Sequence, residues 1–570
     1  MSMRKTWKQS NAVLLCIVLS SVLFLAACSK NAETPGTGNT DNDPKETNQV
    51  QEDLFTAVGT YPIVNKTMTL KMFAPQLPTI EKMETNAFTK YLEEKTNIKI
   101  AWDLVPNNAL ADRKQLMLAS GDYPEVILHG DLSREEQMKY GKQGVFIPLN
   151  DLIEQHAPTI KKALEDIPYM KSSITAPDGN IYALPQINEC YHCDNALKLW
   201  INKAWLDKLG LQMPTTTEEF YQVMKAFKEK DPNGNGKQDE LPLTGSDEMW
   251  AGNVSAFLMN AFIVDDYTEK NAGTFLSVKD GKVDFAANKN EWKQGLEYLN
   301  KLYEEGLIDP AAFTQNADAI QQLANREPDN IMGAAATALI SYGFNMTSEQ
   351  PRHKDYVTLP PLKGPNGVQQ TLNFAGISKS QFAITNKATE EQQIAAIRLA
   401  DYLYTEEAIV LQENGPEDKG WRMAKDGELD IDGKQAKYAH IQRESTQTHN
   451  DGWEQIGPSL RTYEYRSSWM AIQDPLADGG YGTRLNTESK KYEPFHSKEM
   501  YPNGVFIAQE DAEIAAQLKT TIVDYTKSNM AQFITGSKDI GKEWDAYVKG
   551  FDGLQLGQYI DIYQNALGAQ

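Results

Sequence analysis

MTLKMFA (Met68 to Ala74), IKIAWDLV (Ile98 to Val105) and EVIL (Glu125 to Leu128) are three short strand-like runs, each followed by a helical pattern. The second alternates apolar and polar side chains, the period of a strand. After the first run, Asn86 to Lys95 sets Phe88, Leu92 and Lys95 near the helical turn spacing. After the second, Asp112 to Ala119 reads as a helix that stops near Gly121; after the third, Arg134 to Tyr140 reads as another. A β-α-β-α-β order predicts a mainly parallel sheet with helices on its faces. Such sheets bind ligands at loops beyond the carboxyl ends of their strands.

Outward from this segment the chain becomes more helical. Thr216 and Glu219 have the spacing of a capping box, and Phe220, Met224 and Phe227 then mark one buried helical face. Trp292, Leu296, Leu299 and Tyr303 do the same before a stop at Gly306. Strand-like segments return at Tyr356 to Leu359 and Gln381 to Thr385, and Ala388 to Tyr404 is a strong helical pattern. The last ~170 residues read as helical and loop-rich, and no 20–50-residue repeat is evident.

Of the 570 residues, 41% are hydrophobic and 24% charged, enough to bury a large core and to exclude wholesale disorder. The formal net charge of −22 argues against general binding of nucleic acid or anionic membranes, which needs a concentrated positive field. Four cysteines exclude a disulfide scaffold.

The amino terminus reads as an export signal. Arg4, Lys5 and Lys8 precede an apolar stretch from Val13 to Ala27, too short for the ~20 residues of a membrane span. Leu25-Ala26-Ala27-Cys28 resembles a bacterial lipobox, which implies diacylglycerol on the Cys28 thiol and cleavage before it. Residues 1–27 would then be a lipoprotein signal peptide. Their removal takes three cations and no acid. Residues 28–55, rich in Asn, Thr, Gly, Asp and Glu, read as a flexible tether. Cys190 and Cys193 form a C-x-x-C with no second pair, which favours a local disulfide or two structural thiols over redox chemistry or half a zinc site.

The block Lys198 to Gly210 (KLWINKAWLDKLG), followed by Pro214 to Phe220 (PTTTEEF), resembles the extracellular solute-binding proteins of carbohydrate ABC importers. ASGDYPEV at Ala119 to Val126, YEEGLIDP at Tyr303 to Pro310, and Tyr356 to Gly376 add to it in the same order. The chain looks like the large oligosaccharide-binding lipoproteins of Bacillus and Paenibacillus relatives. The resemblance implies an α/β, two-lobe fold of the periplasmic-binding-protein type II kind, with a hinge and an interlobe cleft. Crossings are expected near Tyr182, Asn330 and Thr385. That gives 56–181 as the first part of lobe 1, 182–330 as the first part of lobe 2, 331–385 as the second part of lobe 1, and 386–570 as a helical second part of lobe 2. The implied function is capture of oligosaccharide outside the cell by a monomeric, lipid-anchored receptor. Closure of the lobes would then deliver the sugar to the membrane subunits of an ABC permease.

Asp231, Asn233 and Asn235 stand at positions 1, 3 and 5, with Gly236 at 6, as in the start of an EF-hand loop. Pro242 takes the place of the usual Glu at position 12. The family resembled uses a shortened loop, which implies Asp231, Asn233, Asn235, the Lys237 carbonyl, Asp239 and Glu240 as ligands of a structural Ca²⁺. The bland alternative is a solvated Asn/Gly turn.

Sugars present apolar C–H faces and a ring of hydroxyls, which aromatic rings and polar side chains bind respectively. Tyr182, Trp200, Trp250, Tyr342, Trp421, Trp453 and Trp469 fall near the expected crossings and loops and are candidate platforms. Trp205, Trp292 and Trp544 sit on helical faces and read as core. Arg422 and Arg466 are candidate partners for a carboxylate. His129 and Asp131 end the third strand, where ligands of the family bind.

A secreted carbohydrate-active enzyme is the main rival, but 78 acids make any carboxylate pair uninformative. No HExxH, GxSxG or GxGxxG occurs. The segment Gly536 to Lys542 resembles a phosphate loop, yet Glu543 replaces the hydroxyl residue such a loop requires. A sensory binding protein that presents ligand to a receptor would look the same in sequence. Scarce histidine counts against a metal cargo.

Overall fold

The computed structural model describes residues 54–266, 273–349, 351–374, 376–441, 448–502 and 504–569. The signal segment, Cys28 and the expected tether up to residue 53 lie outside them. No described helix is long and apolar enough to cross a membrane.

The strands are β1 (Met68–Gln76), β2 (Ile98–Pro106), β3 (Val126–Leu132), β4 (Leu184–Asn188), β5 (Leu199–Asn202), β6 (Leu276–Lys279), β7 (Lys282–Phe285), β8 (Ala334–Ala336), β9 (Tyr356–Leu359), β10 (Ile377–Ile384), β11 (Trp421–Met423), β12 (Tyr438–His440) and β13 (Ser459–Arg461). Six of them form one sheet in the order β13-β4-β10-β3-β1-β2. The β3-β1-β2 portion is parallel, as the strand–helix alternation predicts. Strand β10 runs antiparallel to both β3 and β4.

Alternation along β1 explains why this sheet is covered on both faces. Leu70, Met72 and Ala74 join one apolar core with Phe88, Leu92 and Ile98, while Phe73 points into another with Val105, Met117 and Ile127. The helix Ala87–Thr96 is started by Asn86, whose side chain accepts from the Phe88 amide, and ended by left-handed Asn97.

The second lobe is built on the antiparallel sheet β8-β5-β9. The helix Thr217–Glu229 has the reciprocal Thr216–Glu219 capping box. Its buried face, Phe220, Met224 and Phe227, packs with Trp292, Leu296 and Leu299 of the helix Asn290–Glu304. The carboxyl-terminal helices Gln509–Ile534, Ile540–Gly553 and Leu556–Gly568 close the same core through Ile522, Phe533, Trp544 and Tyr547. Trp205, Trp292 and Trp544 lie in this core.

The chain passes between the two sheets at places that differ from those expected. The first passage is 188–199, after β4 rather than near Tyr182. The return is 359–377, because β8 and β9 pair with β5 and only β10 enters the six-stranded sheet. The segment 331–359, expected in lobe 1, thus belongs to the second sheet. The third passage follows β13 rather than Thr385. Ile397, Leu399 and Leu403 of the helix Glu390–Leu403, together with Trp453 and Ile456, are packed in the first-lobe core. Leu485 of the helix Tyr481–Lys490 then joins Trp200 and Tyr356 of the second sheet. The cause is physical. Apolar runs specify strands locally, but the pairing partner of a strand is a long-range choice that such runs do not encode.

Candidate functional site

The first and third passages border a cavity of about 630 Å³ at the carboxyl end of β3. Lobe 1 contributes His129, Glu413 and Gln455, the first passage contributes Tyr191, and the third contributes Tyr465 and Arg466. Thr483, on the helix that packs against the second sheet, also lines it.

His129 reaches the cavity through a distorted strand end. Its φ is 52° and that of Asp131 is 47°, both left-handed and uncommon for side-chain-bearing residues. Between them, a Cβ on Gly130 would lie 2.5 Å from Ile127 Cγ2. On the partner strand the register shifts between Ser380 and Phe382. His129 Nδ1 accepts from the Gly457 amide at 3.1 Å, which places the ring proton on Nε2. Burial holds the imidazole below its ordinary pKa. Asp131 is engaged elsewhere, accepting from Gln381 Nε2 at 2.9 Å, and does not line the cavity.

One wall is aromatic and internally stacked. His440 lies flat on Trp469, with centroids 3.9 Å apart and planes 10° from parallel. Tyr438 packs behind Trp469 at 5.2 Å and Trp421 meets Tyr438 edge-on at 5.4 Å. Trp469 is therefore buried and one of its faces is already taken. The accessible ring is His440, which is exposed and lines the cavity. Sequence reading missed His440. Its only signal is period-two alternation with Tyr438 on the short strand β12. Tyr191 was missed too; it sits within the four-residue ring closed by the Cys190–Cys193 disulfide.

The charged groups are largely matched within the protein. Glu413 bonds the buried Arg461 guanidinium through Oε1 and accepts from the Tyr465 hydroxyl at 3.0 Å through Oε2. Glu454 pairs with His449 at 3.1 Å. Glu189 accepts from the Tyr169 hydroxyl and the Tyr463 amide, each at 2.7 Å. Arg466 donates through Nε to Asn188 Oδ1.

Several candidate platforms are corrected by the structure. Trp200 is fully buried, donating Nε1–H to the Thr337 carbonyl at 3.0 Å. Trp453 is fully buried beside Phe88 and Trp102, its Nε1–H bonded to Thr89 Oγ1 at 2.7 Å. Tyr182 is buried over Gly141, with its hydroxyl on Asp178. Trp421 backs the wall without lining the cavity, its indole N–H on the Gly415 carbonyl. Arg422 is held in a two-bond pair with Glu428, each contact 2.7 Å. Trp250 is half-buried against Ala251 and Leu372, and Tyr342 is exposed; neither lines this cavity. An aromatic or a cation is legible by type in a sequence, but its burial and its partners are not.

The expected metal loop is folded tightly on itself. Asp231 accepts from the amides of Gly234, Asn235 and Gly236, and Asn235 Oδ1 accepts from the Lys237 amide at 2.8 Å. Asn233 and Asn235 both donate to Asp239 Oδ1, and Asn235 also donates to Asp329 at 3.1 Å. Arg326 lies 3.4 Å from Asp239. Glu240 is only 7% exposed, and both its carboxylate oxygens are buried without a hydrogen-bond partner. Burial, with Asp231 and Asp239 nearby, pushes its carboxyl up. A buried carboxylate with two unused oxygens in an all-oxygen loop fits a hard divalent cation.

Two α/β lobes joined by three passages, with a polar and aromatic cavity bordered by the first and third of them, define the class of two-lobed binding proteins. The chain belongs to the bacterial extracellular solute-binding protein family, which residues 77–410 match. It is 30% identical over 575 residues to the fructooligosaccharide ABC transporter substrate-binding protein FusA of Streptococcus pneumoniae, covering 98% of this chain and 97% of that protein. Lipoprotein LipO of Bacillus subtilis is 27% identical over 501 residues, 85% of this chain and 88% of LipO. The solved structure of an S. pneumoniae FusA EF-hand mutant in complex with fructo-nystose is similar at a TM-score of 0.67 and 28% identity, covering 88% of this chain and 99% of that one.

Proposed function

We propose that this protein is a non-catalytic, lipid-anchored receptor on the outer face of the cytoplasmic membrane. It captures an oligosaccharide and hands it to an ABC permease. The observation that carries this reading is the cavity, which the His440–Trp469 stack lines together with the polar groups of Glu413, Arg466 and His129. An aromatic face packs against the C–H face of a sugar ring while the polar groups take its hydroxyls. Groups in the cavity come from lobe 1, the passages and a helix packed on the second sheet, so a ligand touching all of them favours the closed arrangement. The receptor acts as a monomer, held by acyl chains on Cys28.

Asp231, Asn233, Asn235, the Lys237 carbonyl, Asp239 and Glu240 would hold a structural Ca²⁺. The ion would supply the buried Glu240 carboxylate with the cationic partner that Arg326, which pairs with Asp239, does not give it. The likeness to FusA, for which an EF-hand mutant has been solved, supports that assignment. The loop orders the segment after the helix Thr217–Glu229 and is not part of the cavity.

Thermal unfolding of the purified chain in Ca²⁺, against fructan, pectic and other plant or microbial oligosaccharides, tests the reading. Each sugar is recovered and assayed for breakdown. A ligand at ~100 times its dissociation constant adds ~2.7 kcal/mol of stability. The expected outcome is a shift with intact sugar. A shift accompanied by cleavage, or none across the panel, contradicts it.

A further inference from the structure

Among the described residues, Arg466 is the one charged group of the cavity wall whose hydrogen-bonding capacity is largely unused. Its Nε–H is spent on Asn188 Oδ1, and its two η nitrogens make no hydrogen bond among the described residues. They are not buried orphans either, since the side chain is partly exposed and lines the cavity. A guanidinium so held is a fixed fork: Nε anchors the plane and the η nitrogens point away from the anchor.

The surrounding acids do not fill that fork. Glu413 is committed to Arg461 and Tyr465. Glu189 is committed to Tyr169 and the Tyr463 amide, and Glu454 to His449. Asp194 is pushed up to about 7 by burial, with Glu189 adding to it, so it neutralises Arg466 only in part. Arg461 adds a second cation behind Glu413, leaving two guanidinium groups against one close carboxylate. The −22 charge of the whole chain repels anions at long range, but salt screens such charges over ~8–10 Å, whereas a contact within a cavity is screened far less.

We infer that the cavity takes an anionic oligosaccharide, one bearing a uronic-acid carboxylate, and that Arg466 is the residue that selects it by clamping that carboxylate through its η nitrogens. The inference rests on the receptor reading above and narrows its ligand class. Paired N–H···O⁻ bonds are about twice as strong as neutral ones and demand a planar, two-oxygen partner. The carboxylate does not displace an internal partner of Arg466. The stacked His440 ring is then free to pack on a neighbouring sugar face.

The test is titration calorimetry of the full mature chain with short oligomers of galacturonic, mannuronic and glucuronic acid. The methyl ester of each oligomer and the neutral trisaccharide kestose are the comparators. Esterification removes the charge and leaves the ring unchanged. The expected result is binding of at least one acid oligomer, weakened about 10-fold or more by esterification. In Arg466→Gln the acid and its ester bind equally, and Arg466→Lys restores part of the difference. Because the ester comparison is made on the wild type, it stands even if a variant fails to fold. Binding of kestose but of no uronate, or equal binding of acid and ester, overturns the inference and leaves the receptor reading intact. Failure to bind any sugar, charged or neutral, overturns both.

Discussion

Replacing Glu240 by Gln should change the sign of its effect on stability with calcium. The side chain is 7% exposed and neither carboxylate oxygen has a hydrogen-bond partner. Without a cation, a buried, unpartnered polar group costs about 1–3 kcal/mol, and Asp231 and Asp239 add like-charge repulsion. Glu240→Gln preserves the volume and removes the charge, so in a chelator the variant should match or exceed the wild type by ~1 kcal/mol. With calcium the order reverses. Extracellular sites bind with dissociation constants of about 10⁻⁴–10⁻³ M. At 100 times that constant the wild type gains ~2.7 kcal/mol, much of which the variant forfeits. The net swing is then on the order of 2–3 kcal/mol. Domains of 150–250 residues shift by about 2–4 °C per kcal/mol, and this larger chain by somewhat less. Parallel thermal melts in chelator and in about 10 mM calcium measure it. If wild type and variant respond to calcium identically, or the wild type does not respond, the loop is a solvated turn and the reasoning fails.

Trp453→Phe removes the indole bond to Thr89 but keeps a ring beside Phe88 and Trp102. Denaturant melts should show a loss of about 1–3 kcal/mol, with sugar affinity unchanged because Trp453 does not line the cavity. His440→Ala removes the exposed ring of the stacked wall, and calorimetry should show ligand binding roughly 2- to 10-fold weaker, since such contacts contribute ~0.5–1.5 kcal/mol. Asp194 has a folded pKa pushed up to about 7 from 3.8, chiefly by burial. The folded chain therefore holds this proton more tightly than the unfolded chain does. That contribution to stability is complete below the unfolded value and is lost as pH rises toward 7. Asp194→Asn should therefore gain on the wild type between about pH 4 and 7 and run parallel to it above. Urea midpoints across that range check it, and a constant difference rules it out.

Local chemistry was legible in the sequence. The β1–β3 runs, the Thr216–Glu219 capping box and the buried stripe on Asn290–Glu304 each depend on residues a few positions apart, and the structure contains them. The order of family-like segments from Ala119 to Gly376 carried the class of fold. The passages were not legible, because β8 and β9 could pair with either sheet and only long-range packing decides. The cavity was partly legible. His129 and Trp469 both line the cavity, and their signals in the sequence are a strand end for the one and residue type for the other. Trp200 and Trp453 look the same as Trp469 in a sequence, yet they are core. Arg422 and Arg466 look alike too, but Glu428 satisfies the first, whereas among the described residues a single bond to Asn188 holds the second. His440 and Tyr191 carry almost no local signal, since each gains its position from an element formed elsewhere.

Small-angle scattering of the mature chain during titration with a sugar that it binds tests lobe closure. The radius of gyration should fall saturably, at the same midpoint as binding measured by calorimetry, and the sugar should be recovered intact. Full occupancy with unchanged scattering would contradict closure around the ligand, and recovery of cleaved sugar would contradict a receptor.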